Sequence, residues 1–140
     1  MEIHVGDYVE ICSNEDGFLG SYFTAKVLKR VGKYKFMVEY IDLVCDEDDG
    51  KPLTEVVRAS YMRPCPPQIQ VSGFDVLDKV DAFDNDGWWI GRITGSTGSW
   101  YNVYFDSSGD EIPYPVSRLR VHHDWENGQW VLSQRKNLER

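Results

Sequence analysis

A chain of 140 residues with 41% hydrophobic and 14% aromatic content can bury a core but is short for a large enzyme scaffold. Its 23 acidic against 15 basic residues give a formal charge of −8, which opposes contact with phosphate backbones and favours basic partners such as a lysine- and arginine-rich peptide. No apolar run approaches the roughly 18 residues that span a bilayer and no signal peptide is evident, so a soluble protein is expected. Cys12, Cys45 and Cys65 form no C-x-x-C pair and fit reduced thiols in an intracellular compartment better than a disulfide framework or a zinc site.

In chain order, Val9 and Ile11, then Phe23, Ala25 and Val27, then Phe36, Val38 and Tyr40 recur with period two, the mark of strands that each bury one face. Turn residues separate them at Asn14-Glu15-Asp16-Gly17, Val31-Gly32-Lys33 and Asp48-Asp49-Gly50. Arg63-Pro64-Cys65-Pro66-Pro67 then stiffens the chain and removes backbone donors, and beyond it the pattern starts again. Ala25-Lys26-Val27 falls on Gly91-Arg92-Ile93, Val38-Glu39-Tyr40 on Val103-Tyr104-Phe105, and Ser60-Tyr61-Met62-Arg63 on Ser117-Arg118-Leu119-Arg120. The first copy carries in addition an acidic loop around Asp46, Glu47, Asp48 and Asp49.

A period of about 65 residues is too long for most solenoids and suits two small domains, 1–66 and 67–140. Helical periodicity is hard to find, so the fold class is all-β, each copy a meander of four or five short strands. A sheet this small protects its edges by bending and closing on itself, which predicts two tandem SH3-like barrels packed together. Trp125 and Trp130 are candidates to cement the pair.

Such barrels gather side chains at one rim. In the first copy this collects Phe18, Tyr22, Phe23 and Tyr40, with Glu15, Asp16, Glu39 and Asp42 beside them. In the second it collects Phe83, Trp88, Trp89, Tyr104 and Phe105, with Asp84, Asp86 and Asp106. Aromatic faces set at angles attract a methylated ammonium, worth roughly 0.5–2 kcal/mol per ring, and a carboxylate at the edge accepts the remaining N–H of mono- or dimethyl-lysine. Phe23, Trp89, Tyr40 and Phe105 also alternate in phase with core positions, so core filling is the competing reading for each. Trp88 and Trp89 are adjacent and must face opposite sides of a strand.

The combination resembles a tandem Agenet domain, a plant branch of the Tudor-like Royal superfamily. The residues that carry the resemblance are Gly6-Asp7-Tyr8-Val9-Glu10-Ile11, residues 15–27 and Val38-Glu39-Tyr40 in the first copy. In the second they are Asp78-Lys79-Val80-Asp81-Ala82, Gly87-Trp88-Trp89-Ile90-Gly91-Arg92-Ile93 and the terminal run from Leu119 to Trp130. The resemblance implies a pair of Tudor-like barrels that reads the histone H3 tail in the nucleus, in heterochromatin. It implies dimethyl-lysine at the lysine-nine mark with lysine four unmodified, and one pair drawn from a protein with several. A full Tudor cage usually has an aromatic at the end of the first strand, where this chain has Ser13 in one copy and Phe83 or Asp84 in the other. The family favours the first copy as the methyl-lysine site, with Phe18, Tyr22, Phe23, Tyr40 and Asp42 as its cage. Glu15, Asp16, Glu39 and residues 46–49 would hold the peptide's basic side chains.

Two other functions compete. SH3-like barrels also bind proline-rich segments, and Agenet relatives occur in RNA-associated proteins. Against RNA stand the charge and the lack of a contiguous basic stripe; Lys26, Lys29, Arg30, Lys33 and Lys35 are the only local basic cluster and read as a solvated strand face. For catalysis the aspartates 81, 84 and 86 sit among turn signals, His122-His123 has no serine or cysteine partner, and Gly95-Ser96-Thr97-Gly98 precedes no helix. A non-enzymatic module without cofactor or metal is expected.

Overall fold

In the computed structural model, residues 2–13, 20–44 and 50–132 are described. The chain divides into two compact units, Met1–Cys65 and Pro66–Arg140.

In the first unit five strands run β1 (Tyr8–Cys12), β2 (Ser21–Arg30), β3 (Lys35–Val44), β4 (Pro52–Arg58) and β5 (Met62–Pro64), with a 3-10 turn over Ala59–Tyr61. All ladders are antiparallel, and their order is β4-β3-β2-β1-β5. The second unit repeats this with β6 (Lys79–Asp84), β7 (Gly87–Thr97), β8 (Trp100–Tyr104), β9 (Glu111–Pro115), a 3-10 turn over Val116–Arg118 and β10 (Leu119–Val121), in the order β9-β8-β7-β6-β10. A hairpin follows, β11 (His123–Glu126) and β12 (Gln129–Leu132). Each unit is thus a bent five-stranded meander of Tudor-like form. Among the described residues β4 makes no ladder with β5, nor β9 with β10, so neither sheet is a hydrogen-bonded closed barrel.

The alternation read in the sequence becomes the inner pleat. Val9, Ile11, Phe23, Ala25, Val27, Phe36, Val38 and Tyr40 are all buried, joined by Val57 and Met62. The second core holds Val80, Ala82, Ile93, Val103, Phe105, Tyr114 and Leu119, with Trp89, Phe74, Tyr101 and Ile112 packed on it. Trp125 and Trp130 face each other across the terminal hairpin at 5.0 Å, and His123 stands edge-on to Trp130.

Tight turns follow their chemistry. Asn85 and Asp86 both take positive φ between β6 and β7, as do Asn127 and Gly128 in the last hairpin, the pattern of two-residue type I′ connections. At the entry to the first strand of each unit, Gly6 and Leu77 occupy the same left-handed position, donating their N–H to Val27 and Ile93 respectively. Glycine adopts that conformation freely, whereas Leu77 holds it under strain at φ 78.

Candidate functional site

β1 and β6 are buried on both faces. Between inner-facing Val9 and Ile11 lies Glu10, 1% exposed, and between Val80 and Ala82 lies Asp81, 0% exposed. Ladder register places Arg63 opposite Glu10 and Arg120 opposite Asp81. Arg63 donates through Nε and Nη2 to Glu10 at 3.1 and 2.8 Å, and Arg120 donates through Nε to Asp81 at 2.8 Å. Each guanidinium then lies on an aromatic face, Arg63 3.4 Å from the centroid of Tyr22 and Arg120 4.1 Å from that of Trp88. The repeat has therefore duplicated a three-part device: a buried carboxylate, an arginine and an aromatic ring, on the outer pleat. Such a pair is held against desolvation by its own hydrogen bonds.

This device separates the residues grouped by sequence as one cage. Tyr22 pairs with Cys12 on the outer pleat, while Phe23 pairs with Ile11 on the inner one. Phe23 and Tyr40 are 7% and 6% exposed, so nearly all of each ring is core. Asp42, two residues beyond Tyr40, is exposed. The structure thus brings Phe23 and Tyr40 to one pleat and places Tyr22 on the other, while Asp42 falls in the stretch from Glu39 to Val44 where the register of β3 against β4 shifts. Glu39 is half-buried opposite Lys26, on the outer pleat. Phe18, Glu15, Asp16, Asp46, Glu47, Asp48 and Asp49 lie outside the described residues.

In the second unit the adjacent tryptophans face opposite ways, as strand geometry requires. Trp88 shares the outer pleat with Phe83, ring centroids 5.1 Å apart, and Trp89 turns inward towards the pleat of Phe105. Phe105 is buried edge-on to Tyr114. Asp84, at the end of β6, ties this pleat together: it accepts the Tyr114 hydroxyl at 2.6 Å and the Asn85 N–H at 2.8 Å, and its carbonyl accepts the Trp89 indole N–H at 2.7 Å. Burial and the Asp84 carboxylate both push the Tyr114 hydroxyl far above the ordinary phenol range, so it stays protonated and donating. Asp86 sits in the exposed turn, and Asp106 lies 3.4 Å from Arg92, whose guanidinium covers Tyr104.

Residue-by-residue equivalence exposes compensating changes. Tyr40 of the first unit corresponds to Phe105, and Glu55, which accepts the Tyr40 hydroxyl at 2.5 Å, corresponds to Ile112. Conversely Tyr114 takes the place of Val57, and its acceptor Asp84 that of Ser13. Each unit therefore has a phenol hydrogen-bonded to a carboxylate, Tyr40 to Glu55 and Tyr114 to Asp84, carried by different strands.

Sequence reasoning missed Glu55, because a lone acid on a short strand carries no signal until the register sets it beside Tyr40. It also missed the roles of Arg63, Arg120 and His122. The two arginines were within reach, since the internal repeat aligns them and also aligns the acids, Glu10 with Asp81, on the strands they pair with.

The sequence model of the Agenet domain matches residues 6–67. The crystal structure of Arabidopsis thaliana AGDP1 AGD34 is 40% identical, with a TM-score of 0.86 over 91% of this chain and 88% of that one. The chain belongs to the Agenet family. The ADCP1 tandem Agenet domain 3-4 is also similar, 37% identical with a TM-score of 0.81 over 92% of this chain and 86% of that one. Because these matches extend across both units, the second is an Agenet fold as well, although the domain model covers the first alone. Among curated Arabidopsis thaliana proteins, AGENET DOMAIN (AGD)-CONTAINING P1 is 43% identical over 91% of this chain, and DUF724 domain-containing protein 3 is 35% identical over 94%. This chain spans about a quarter and a fifth of their respective lengths, 25% and 20%. An Agenet pair is a binding module of Tudor-like type.

Proposed function

We propose that this Agenet pair reads a methylated lysine of the histone H3 tail, in the nucleus, through the first unit. Phe23 and Tyr40 on one pleat, with exposed Asp42 two residues further along the Tyr40 strand, carry the reading, and the Tyr40 ring is fixed by its hydroxyl bond to Glu55. A methylammonium set against the accessible part of a ring face gains cation–π attraction of about 0.5–2 kcal/mol per ring, and an exposed carboxylate accepts the N–H that dimethyl-lysine retains. The strands that carry these residues are joined to their neighbours by the segments carrying Glu15, Asp16 and residues 46–49, whose charge suits a basic tail. Dimethyl-lysine at the lysine-nine mark, with lysine four unmodified, is the specific ligand, and heterochromatin its setting. The second unit's counterpart, with Asp84 already accepting two hydrogen bonds, serves mainly as a brace.

Calorimetric titration of the whole chain with dimethylated and unmodified H3 tail peptides tests this. Tighter binding of the dimethylated peptide, lost in Asp42→Ala and Phe23→Leu with the fold retained by circular dichroism, is expected. Equal affinity for both peptides overturns the methyl-lysine assignment and leaves a peptide-binding module without that specificity.

A further inference from the structure

The first unit is electrically lopsided. Residues 17–38 contain Lys26, Lys29, Arg30, Lys33 and Lys35 and no carboxylate, in a chain whose charge is −8. In sequence this reads as a solvated strand, but the ladders give it a different shape. Lys29 pairs with Met37, and Lys35 pairs with Arg58 of β4, so Lys29, Lys35 and Arg58 stand on the outer pleat of three adjacent strands. All three are exposed, as are Arg30 and Lys33 at the connecting turn. Arg58 is more than twenty residues from Lys35 in sequence, and only the register makes the cluster a cross-strand stripe.

Two observations separate this stripe from ordinary solvated lysines. Among the described residues no carboxylate lies within ion-pair distance of Lys29, Arg30, Lys33, Lys35 or Arg58; Arg30 donates to the Lys33 carbonyl at 2.8 Å and lies over the Phe36 ring, and Lys33 lies over the Tyr34 ring. Lys35 and Arg58 are also like charges directly opposite on neighbouring strands, an arrangement that costs stability and that an anion would relieve. Beside them Tyr34 projects from the turn, 66% exposed. Tyr40 and Asp42 lie five and seven residues beyond Lys35 on β3, so the stripe sits roughly 15–25 Å along the strand from the residues assigned to the histone tail.

We propose that this face of the first unit binds the phosphate backbone of duplex DNA without sequence preference. The cations lie on an open sheet face and not in a groove, and the turn offers a single exposed ring. Single-stranded nucleic acid is held on successive open aromatic platforms, whereas the exposed rings here, Tyr34 and Tyr8, already lie beneath Lys33 and Lys26; a duplex presents one charge per roughly 1.7 Å to a row of cations. One end of the unit then takes the tail and the other the DNA beside it. The proposal rests on the histone reading only for where that DNA comes from.

Fluorescence anisotropy of a labelled duplex of arbitrary sequence, titrated with the whole chain, is the test. Four contacts, from Lys29, Lys33, Lys35 and Arg58, predict affinity falling about 150-fold between roughly 50 and 200 mM salt. Lys35→Glu turns the repulsive pair into an attractive one, so this variant melts higher than the parent while binding DNA about tenfold more weakly. Arg58→Glu does the same from the other side. H3 peptide affinity is unchanged in both variants, and a parent chain that binds the duplex without preferring the dimethylated H3 peptide counts against the histone reading alone. No binding at low salt, insensitivity to both reversals, or tighter binding of single-stranded RNA than of duplex overturns the proposal.

Discussion

His122 makes the stability of the second unit depend on pH. It is 0% exposed, with Nδ1 at 2.7 Å from Asp81 Oδ1 and Nε2 at 2.8 Å from Asp124 Oδ1. Ionised carboxylates only accept, so both ring nitrogens must donate and the ring is an imidazolium. Burial opposes that charge, but the hydrogen bonds and charges of Asp81 and then Asp124 outweigh it and raise the His122 pKa above its ordinary value of 6.5. Arg120 on β10 is the other charge facing Asp81, and the His122 backbone N–H is held by the Lys79 carbonyl. Below about pH 6.5 the folded and unfolded chains both carry the proton and the contribution is complete. Above it the unfolded chain releases the proton first, so stability falls by about 1.4 kcal/mol per pH unit until the folded-state pKa is passed. For a unit of this size that is a melting-point loss of roughly 5–10 °C per pH unit. All five tryptophans lie beyond residue 87, so tryptophan fluorescence reports this unit alone. Thermal melts followed that way should drop between pH 6.5 and pH 8, and the slope should vanish in His122→Gln, which is neutral throughout. A melt that does not move with pH, or one whose slope survives in His122→Gln, refutes the imidazolium.

Two further substitutions probe the packing. A methyl group added at Gly91 would meet the Val103 Cγ1 at 2.5 Å and the Tyr104 carbonyl at 3.0 Å, although the first unit has Ala25 at the same place. Gly91→Ala should therefore lower stability by about 1–3 kcal/mol in urea denaturation followed by tryptophan fluorescence, and an unchanged midpoint would contradict the packing. Arg63→Met strands the buried Glu10 carboxylate and should cost about 3–5 kcal/mol, while the double variant with Glu10→Leu recovers most of it; a strictly additive double-mutant cycle would deny the coupling.

The strands were legible because each inner pleat is apolar without interruption: Val9 and Ile11, then Phe23, Ala25 and Val27 announce themselves at period two. The duplication was legible for the same reason, down to the pairing of Arg63 with Arg120. What escaped was everything that depends on register. Glu10 and Asp81 look like solvent-facing alternates, yet their arginines arrive from 53 and 39 residues away. His122 lacks a serine or cysteine partner, but its carboxylate partner stands 41 residues back on β6. The rule that adjacent residues face apart separated Trp88 from Trp89, and it holds equally for Tyr22 and Phe23. Grouping those two in one cage ignored it.

Register also explains why two copies of one fold need not do one job. A phenol at the end of a small sheet requires an acceptor, and the units supply it differently. In the second, Asp84 stands on the same sheet end as Tyr114, accepts its hydroxyl and the Asn85 N–H, and fixes Trp89 through its carbonyl. Both of its carboxylate oxygens are engaged in the fold. In the first, Ser13 replaces that aspartate, the phenol moves to Tyr40, and the acceptor becomes Glu55, an exposed carboxylate on β4. Exposed carboxylates keep lone pairs for a donor arriving from outside, and Asp42 adds a second on the Tyr40 strand. Changing Tyr40 to Phe105 and Glu55 to Ile112 together removes the phenol and its acid as a pair, which leaves no buried polar atom stranded. The same exchange supports placing the cation-binding end in the first unit and the brace in the second.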